Sequence, residues 1–327
     1  MKRTPKNSLA LRGAKLTYEP SSGRLAIGLP GPRGLVELSV ERGNPNYYEL
    51  LELLASKNAL ELDFSSLPLR LPLERVEQLL VNGSDPERYL SVGACAGGGA
   101  VALDLSDHLL VAGGTGTGKT ELLKTIALHG ATQKTVEVHL FSPWAKSWAD
   151  NSWKKVLEVP ETSGLRFLGS DELDAFYGIR SLARSLESRR EALAAKDAGA
   201  IGGAKFPTVY LLLDETMGIF EPRDPGKSYL VEAVVKDLRL LLESGGALGV
   251  YVALSSQRPE LIPSELRELF SARVLMGDPQ RIGSSELVFG TQSVHGGGCF
   301  DGAWGRGTVL ANGEQRLFQG YFIEDLG

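Results

Sequence analysis

The chain has 327 residues, with 35 Lys and Arg against 40 Asp and Glu for a net charge of −5, and 43% of its residues are hydrophobic. This balance excludes a disordered or collagen-like polymer and predicts one large domain, or a main domain with a smaller partner, that buries a full core. No apolar run approaches the ~20 residues of a membrane-spanning helix, and the basic start MKRTPKNS leads into no signal-peptide core, so the chain is expected to be cytoplasmic.

Residues 1–92 are expected to form a small α+β domain. Leu25–Pro30 and Gly34–Val40 read as short strands, Tyr47–Ala55 as a helix by its apolar periodicity, and Leu73–Ser84 as a second helix stopped by Asn82-Gly83. The glycine-rich stretch Gly93–Gly99 is either a turn joining two short strands or a flexible connector. Cys95 and Cys299 lie far apart, with no Cys-x-x-Cys partner, and support neither a disulfide framework nor a zinc site.

Residues 93–327 are expected to form an α/β domain. From Asp107 onward, short apolar runs alternate with helical segments, the pattern of a mainly parallel sheet covered on both faces. The strands are predicted at His108–Ala112, Thr135–Phe141, Thr208–Asp214, Gly249–Ser256 and Ala272–Met276. Helices are predicted from Lys119, over Asp171–Lys196, over Ser228–Ser244 and near Ser264–Phe270. The stretch Thr308–Ile323 places Asn312-Gly313 between two β-rich runs, which predicts a C-terminal β-hairpin.

Three strand ends carry the chemistry. Gly113, Gly114, Thr115, Gly116, Thr117, Gly118, Lys119 and Thr120 spell G-x-x-x-x-G-K-T between an apolar strand and a helix, the setting of a phosphate-binding loop. Its glycines let backbone N–H groups turn toward a phosphate chain at a helix N-terminus, Lys119 reaches the β- and γ-phosphates, and the Thr120 hydroxyl ligates Mg²⁺. The run VYLLL delivers Asp214 and Glu215 to a later strand end, where Asp214 can organise Mg²⁺ and Glu215 can polarise a water; such a pair can also simply cap the following helix. At a third strand end, Gln257 of Ser255–Pro259 is placed to sense the γ-phosphate or the attacking water. These residues together point to ATP as the ligand and to an ATPase.

With these motifs in this order, the chain resembles the motor domain of the FtsK/SpoIIIE family of DNA translocases, within the FtsK/HerA superfamily. The resemblance is carried by DHLLVAGGTGTGKT (Asp107–Thr120), YLLLDE (Tyr210–Glu215) and GALGVYVALSSQRP (Gly246–Pro259). It continues more weakly through Glu265–Met276 and Gly305–Asp325, and covers about Glu87 to Asp325. It implies a RecA-like P-loop ATPase that assembles as a ring, commonly a homo-hexamer, around double-stranded DNA and moves along it by ATP hydrolysis. The family usually has a basic residue before the Ala-x-Gly that opens the glutamine strand, whereas Glu243-Ser244-Gly245-Gly246 stands here, leaving Arg239, Arg258 and Arg273 as candidates for an arginine acting on a neighbouring subunit's nucleotide. DNA contacts are implied for Arg267, in the loop Glu260–Ser271, and for Arg223 and Lys227, in the loop after Asp214-Glu215.

Departures from the family narrow the expectation. The sequence stops soon after the hairpin, without the family's winged-helix module or membrane helices, which suits a phage, plasmid or mobile-element motor for genome packaging or DNA transfer rather than a complete cell-division translocase. SPWAK (Ser142–Lys146) stands where the family tends to have Asp-Pro-Lys after the second strand. Two other functions fit the same motifs: a type VII-like protein-secretion ATPase, and a nucleotide-switched DNA-binding or replication module.

Overall fold

The computed structural model describes residues 15–19, 24–31, 34–41, 71–73, 76–79, 81, 84–85, 88–95, 100–133, 135–143, 153, 156, 164–197, 206–222, 224–277, 285–290, 304–311 and 313–323. Strands β1 (Lys15–Glu19), β2 (Arg24–Gly31) and β3 (Gly34–Glu41) form an antiparallel sheet of their own in the order β1-β2-β3. The expected strands at Leu25–Pro30 and Gly34–Val40 fall within β2 and β3, while the expected helix at Tyr47–Ala55 lies outside the described residues.

The rest of the chain runs β4 (Leu71–Pro72), a 3₁₀ turn (Val76–Leu79), β5 (Tyr89–Cys95), β6 (Ala100–Asp104), β7 (Leu109–Gly113), α1 (Lys119–Thr132), β8 (Val136–Phe141), β9 (Leu165–Gly169), α2 (Glu172–Asp197), β10 (Thr208–Leu213), α3 (Met217–Phe220), α4 (Tyr229–Ser244), β11 (Val250–Ser256), α5 (Ser264–Arg267), β12 (Ala272–Met276), α6 (Ser285–Phe289), β13 (Arg306–Ala311) and β14 (Glu314–Phe322). Among the described residues β4–β14 form one sheet in the order β6-β5-β14-β13-β12-β7-β11-β10-β8-β9, with β4 added beside β14. Every pairing from β12 to β9 is parallel, and every pairing from β12 outward to β6 is antiparallel. The expected α/β fold with a mainly parallel centre is therefore present.

The central strands are mostly apolar because both faces of the sheet are covered, and alternate residues point to opposite layers. Val111 of β7 and Tyr210 and Leu212 of β10 pack with Leu122, Leu123 and Ile126 of α1 on one face. Leu110 of β7 and Leu211 and Leu213 of β10 pack on the other, with Ile179 and Leu186 of α2 and Val234, Leu238 and Leu241 of α4. The three- and four-residue spacing of those α4 positions gives the helix its single apolar stripe. Truncating one of the fully enclosed leucines, such as Leu123 or Leu211, to alanine costs about 2–5 kcal/mol.

Local chemistry sets the ends of these elements. α2 begins with reciprocal caps: Asp171 Oδ1 accepts from the N–H groups of Leu173 and Asp174, and Asp174 Oδ2 accepts from those of Ser170 and Asp171. In place of the helix predicted over Ser264–Phe270, α5 ends at Arg267, and i→i+3 bonds from Leu269 N to Leu266 O and Phe270 N to Arg267 O tighten the chain into β12. The predicted hairpin forms, with Ala311 paired to Glu314 across Asn312-Gly313, and Ile323 N then donates to Glu121 Oε2 on the first turn of α1.

The division expected between residues 92 and 93 falls inside β5, which runs unbroken from Tyr89 to Cys95 and pairs with both β6 and β14. Leu73 and Leu79 belong to the same core cluster as Val111 and Leu123. β5 and β6 are the two short strands of the turn reading; residues 96–99, between them, lie outside the described residues. The helix predicted over Leu73–Ser84 is represented by the 3₁₀ turn Val76–Leu79. Among the described residues no helix is long and apolar enough to cross a membrane.

Candidate active site

The strands β10, β11, β7 and β12 are neighbours in the sheet, and because they are parallel their C-terminal ends open at one edge. β7 passes at Gly113 into the loop that enters α1 at Lys119. Gly118 makes that entry with a φ of 110°, which favours glycine, and a Cβ there would be tight, 3.0 Å from Gly305 Cα and from Met276 Cε. Thr117 Oγ1 donates to Gly114 O at 2.9 Å and braces the loop from within. The N-terminus of α1 has no side-chain cap, which leaves its first N–H groups and its dipole directed at the loop.

The Lys119 ammonium is buried and donates to the carbonyls of Gly113 and Gly114, at 2.8 Å each. Burial lowers its pKa, and the charges of Glu215 and then Asp214 act in the opposite direction. Asp214, only 1% exposed, accepts from three hydroxyls: Ser142 at 3.0 Å, Ser255 at 3.1 Å, and Thr120 at 3.2 and 3.3 Å to its two oxygens. Burial raises its pKa, and the bonds from Ser142, Ser255 and Thr120 partly offset that rise.

Glu215 is the one non-glycine residue with positive φ among the described residues, at 55°. This left-handed turn costs about 1–2 kcal/mol. Its N–H donates to Ser255 Oγ at 3.0 Å, and its Oε1 lies 3.5 Å from the N–H of Gln257. Gln257 Oε1 accepts from Thr115 Oγ1 at 2.7 Å, which joins the glutamine strand to the phosphate loop. Lys119, Thr120, Asp214, Glu215 and Gln257 thus meet at one strand edge although they come from three separate segments.

The donor set fits a magnesium-bound triphosphate. A buried ammonium beside an uncapped helix N-terminus suits an anion, and one hydroxyl with one carboxylate suits a hard cation that completes its shell with phosphate and water oxygens. Among the described residues no cluster of three or more His, Cys, Asp or Glu competes for a metal.

The candidate arginines differ in their surroundings. Arg239 pairs with Glu243 at 2.7 Å on the exposed side of α4, and Arg258 pairs with Glu221 at 2.9 Å and Glu260 at 3.0 Å. Arg273 is turned into its own fold, donating to Phe270 O and Val288 O at 2.9 Å each. Arg267 donates to Pro259 O at 3.0 Å and to Ile262 O, and Lys227 pairs with Glu172 at 3.1 Å. Arg223 lies outside the described residues.

Two parts of the site were not singled out as functional from the sequence. Ser142 and Ser255 are ordinary strand-end serines until the fold sets them on Asp214, although Ser255 opens the Ser255–Pro259 stretch named for Gln257. The segment Trp304–Gly305, before β13, meets the phosphate loop through a 3.0 Å bond from Gly305 N to Thr117 O.

No family model matches the sequence, and no curated protein matches it. Solved structures do. EssC (ATPases 2 and 3) from Geobacillus thermodenitrificans aligns over 79% of this chain at 15% identity with a TM-score of 0.59. The pCW3 conjugation coupling protein TcpA, in a monomer form with ATPγS, aligns over 95% at 14% identity with a TM-score of 0.63. The cytoplasmic domain of the type VII secretion ATPase EccC from Thermomonospora curvata aligns over 79% at 18% identity with a TM-score of 0.56. The match spans 48% of the EssC chain, 28% of EccC and 89% of TcpA. At these identities the likeness establishes architecture: this chain has the RecA-like P-loop fold that EssC, EccC and TcpA share.

Proposed function

We propose that this chain is a Mg²⁺-dependent ATPase that pumps double-stranded DNA as a ring-shaped homo-oligomer, a hexamer, in the cytoplasm, serving genome packaging or DNA transfer for a phage, plasmid or mobile element. The observation that carries the reading is the convergence of Lys119, Thr120, Asp214, Glu215 and Gln257 on one strand edge. In this reading the motor begins at β4, since Leu73 and Leu79 share its core, and β1–β3 precede it.

Each residue has a task its position supports. Lys119 exchanges the Gly113 and Gly114 carbonyls for phosphate oxygens, and the first N–H groups of α1 bind the same anion. Thr120 and Asp214 would hold Mg²⁺, which when bound neutralises phosphate charge. Glu215 accepts a proton from the attacking water and Gln257 orients that water, reporting the terminal phosphate to the segment after β11. General-base catalysis of this kind contributes about 10²–10⁴-fold in rate. Arg239 and Arg258, whose side chains face outward, are the candidates to act on a neighbour's nucleotide. Lys227 would have to leave Glu172 to meet a phosphate backbone, and Arg267 would have to leave the Pro259 and Ile262 carbonyls.

The DNA reading draws on the resemblance to DNA translocases and on the conjugation coupling protein TcpA, which aligns over 95% of this chain; EssC and EccC, which align over 79%, keep protein secretion as the second reading. The test is turnover with and without long duplex DNA. Several-fold stimulation that disappears in Lys119→Ala is expected. No stimulation by duplex of any length removes the DNA assignment, and stimulation by an export-signal peptide instead assigns secretion. DNA binding with almost no turnover assigns the static switch.

A further inference from the structure

Trp304 keeps a large apolar surface in the open, 70% exposed, on a backbone held from both sides. Its carbonyl accepts from Gln319 Nε2 at 2.8 Å. The next residue, Gly305, donates its N–H to Thr117 O of the phosphate loop at 3.0 Å and accepts from Gly320 N at 2.7 Å. A Cβ on Gly118 would stand only 3.0 Å from Gly305 Cα, so the two backbones lie close together. The backbone that carries the indole is therefore fixed to the phosphate loop, while the side chain is largely exposed.

The order of the strands gives the site a direction. Asp214, Glu215 and Gln257 close the ends of β10 and β11, on one side of β7. Trp304 precedes β13, two strands from β7 on the other side, or about 10 Å at the usual strand spacing. A nucleotide whose terminal phosphate meets Glu215 and Gln257 can extend its sugar and base across β7 toward β12 and β13. We propose that Trp304 is the platform on which the purine base of the bound triphosphate stacks. This rests on the phosphate-loop reading above and identifies a partner for the base, which that reading leaves uncontacted. The two-ring π face of an indole matches a purine in area, and stacking needs no particular hydrogen-bond pattern, so ATP and GTP should both bind better than pyrimidine triphosphates.

The test is calorimetric titration of the full chain with ATPγS and, separately, with inorganic tripolyphosphate, both with Mg²⁺. Trp304→Ala should weaken ATPγS binding about tenfold, the order that base–aromatic stacking contributes, and leave tripolyphosphate binding unchanged. Trp304→Phe should recover most of the loss. Unchanged ATPγS affinity, or an equal loss for both ligands, overturns the inference, as does lost assembly with intact nucleotide affinity, which would assign Trp304 to a subunit contact. If wild type and Lys119→Ala bind both ligands equally weakly, the phosphate-loop reading itself fails and this inference falls with it. Should Trp304→Ala not fold, indole fluorescence decides: ATPγS should quench wild type more than Trp304→Phe, and equal quenching overturns the inference.

Discussion

The hydroxyl of Ser255 ties Asp214 to the strand beside it, donating to Asp214 Oδ1 at 3.1 Å while accepting the Glu215 N–H at 3.0 Å. One side chain of β11 thereby sets both acids that end β10. Ser255→Ala leaves the buried Glu215 N–H without its partner, a loss of about 1–3 kcal/mol. Each kcal/mol should lower the melting temperature by about 2–4 °C in a domain of this size. Turnover should fall with it, and Ser255→Thr should recover part of both, as read by thermal unfolding and phosphate release.

Asp214 is held with its pKa raised by burial, so its ionised form opposes folding when no cation is bound. A carboxyl whose folded pKa lies above its unfolded one lends stability below the unfolded value, about 3.9, and loses it as pH rises through the folded value. Asp214→Asn removes that loss, and the three hydroxyls around it can rotate to serve an amide. The ligand-free variant should therefore melt higher than wild type at pH 7–8, with the gap closing toward pH 4, while ATP turnover is abolished. Melting curves across that pH range check the sign.

Glu215 and Lys119 should separate chemistry from binding. Glu215→Gln should lower turnover about 10²–10⁴-fold while ATPγS still binds. Lys119→Ala should lose the binding itself, because its buried ammonium sits on the loop carbonyls of Gly113 and Gly114. Titration calorimetry beside steady-state turnover distinguishes the two.

At Gly93 a Cβ would lie 2.0 Å from Gln319 O, where β5 lies against β14. Gly93→Val should force the strands apart and destabilise the whole motor by about 1–3 kcal/mol, the usual cost of overpacking. A single cooperative transition at lower denaturant would show that β5 folds as part of the motor; loss of a separate early transition would show the reverse.

The three candidate arginines should divide by environment. Arg273→Ala should lower the melting temperature, since it deprives Phe270 O and Val288 O of their donor. Arg239→Ala and Arg258→Ala should leave melting unchanged because their ion pairs are exposed. If either acts on a neighbour's nucleotide, its variant should be inactive alone and regain turnover when mixed with Glu215→Gln subunits, which supply the missing arginine.

The sequence alone determined what depends on near neighbours. The spacing of Gly113–Thr120 between an apolar strand and a helix, the apolar runs ending in Asp214 and in Gln257, and the Asn312-Gly313 hairpin are all set by backbone preference and side-chain period within a few residues. Strand order and register, which local preference leaves open, were decided only by the packing of both sheet faces. That packing brings Ser142 to Asp214 across 72 positions, Thr115 to Gln257 across 142, and Trp304 to the phosphate loop. It also pairs β5, which holds residues 92 and 93, with β14 near the other end of the chain. Contacts of this kind form because burying two apolar faces selects one arrangement of the whole sheet, and no short window of sequence contains both partners.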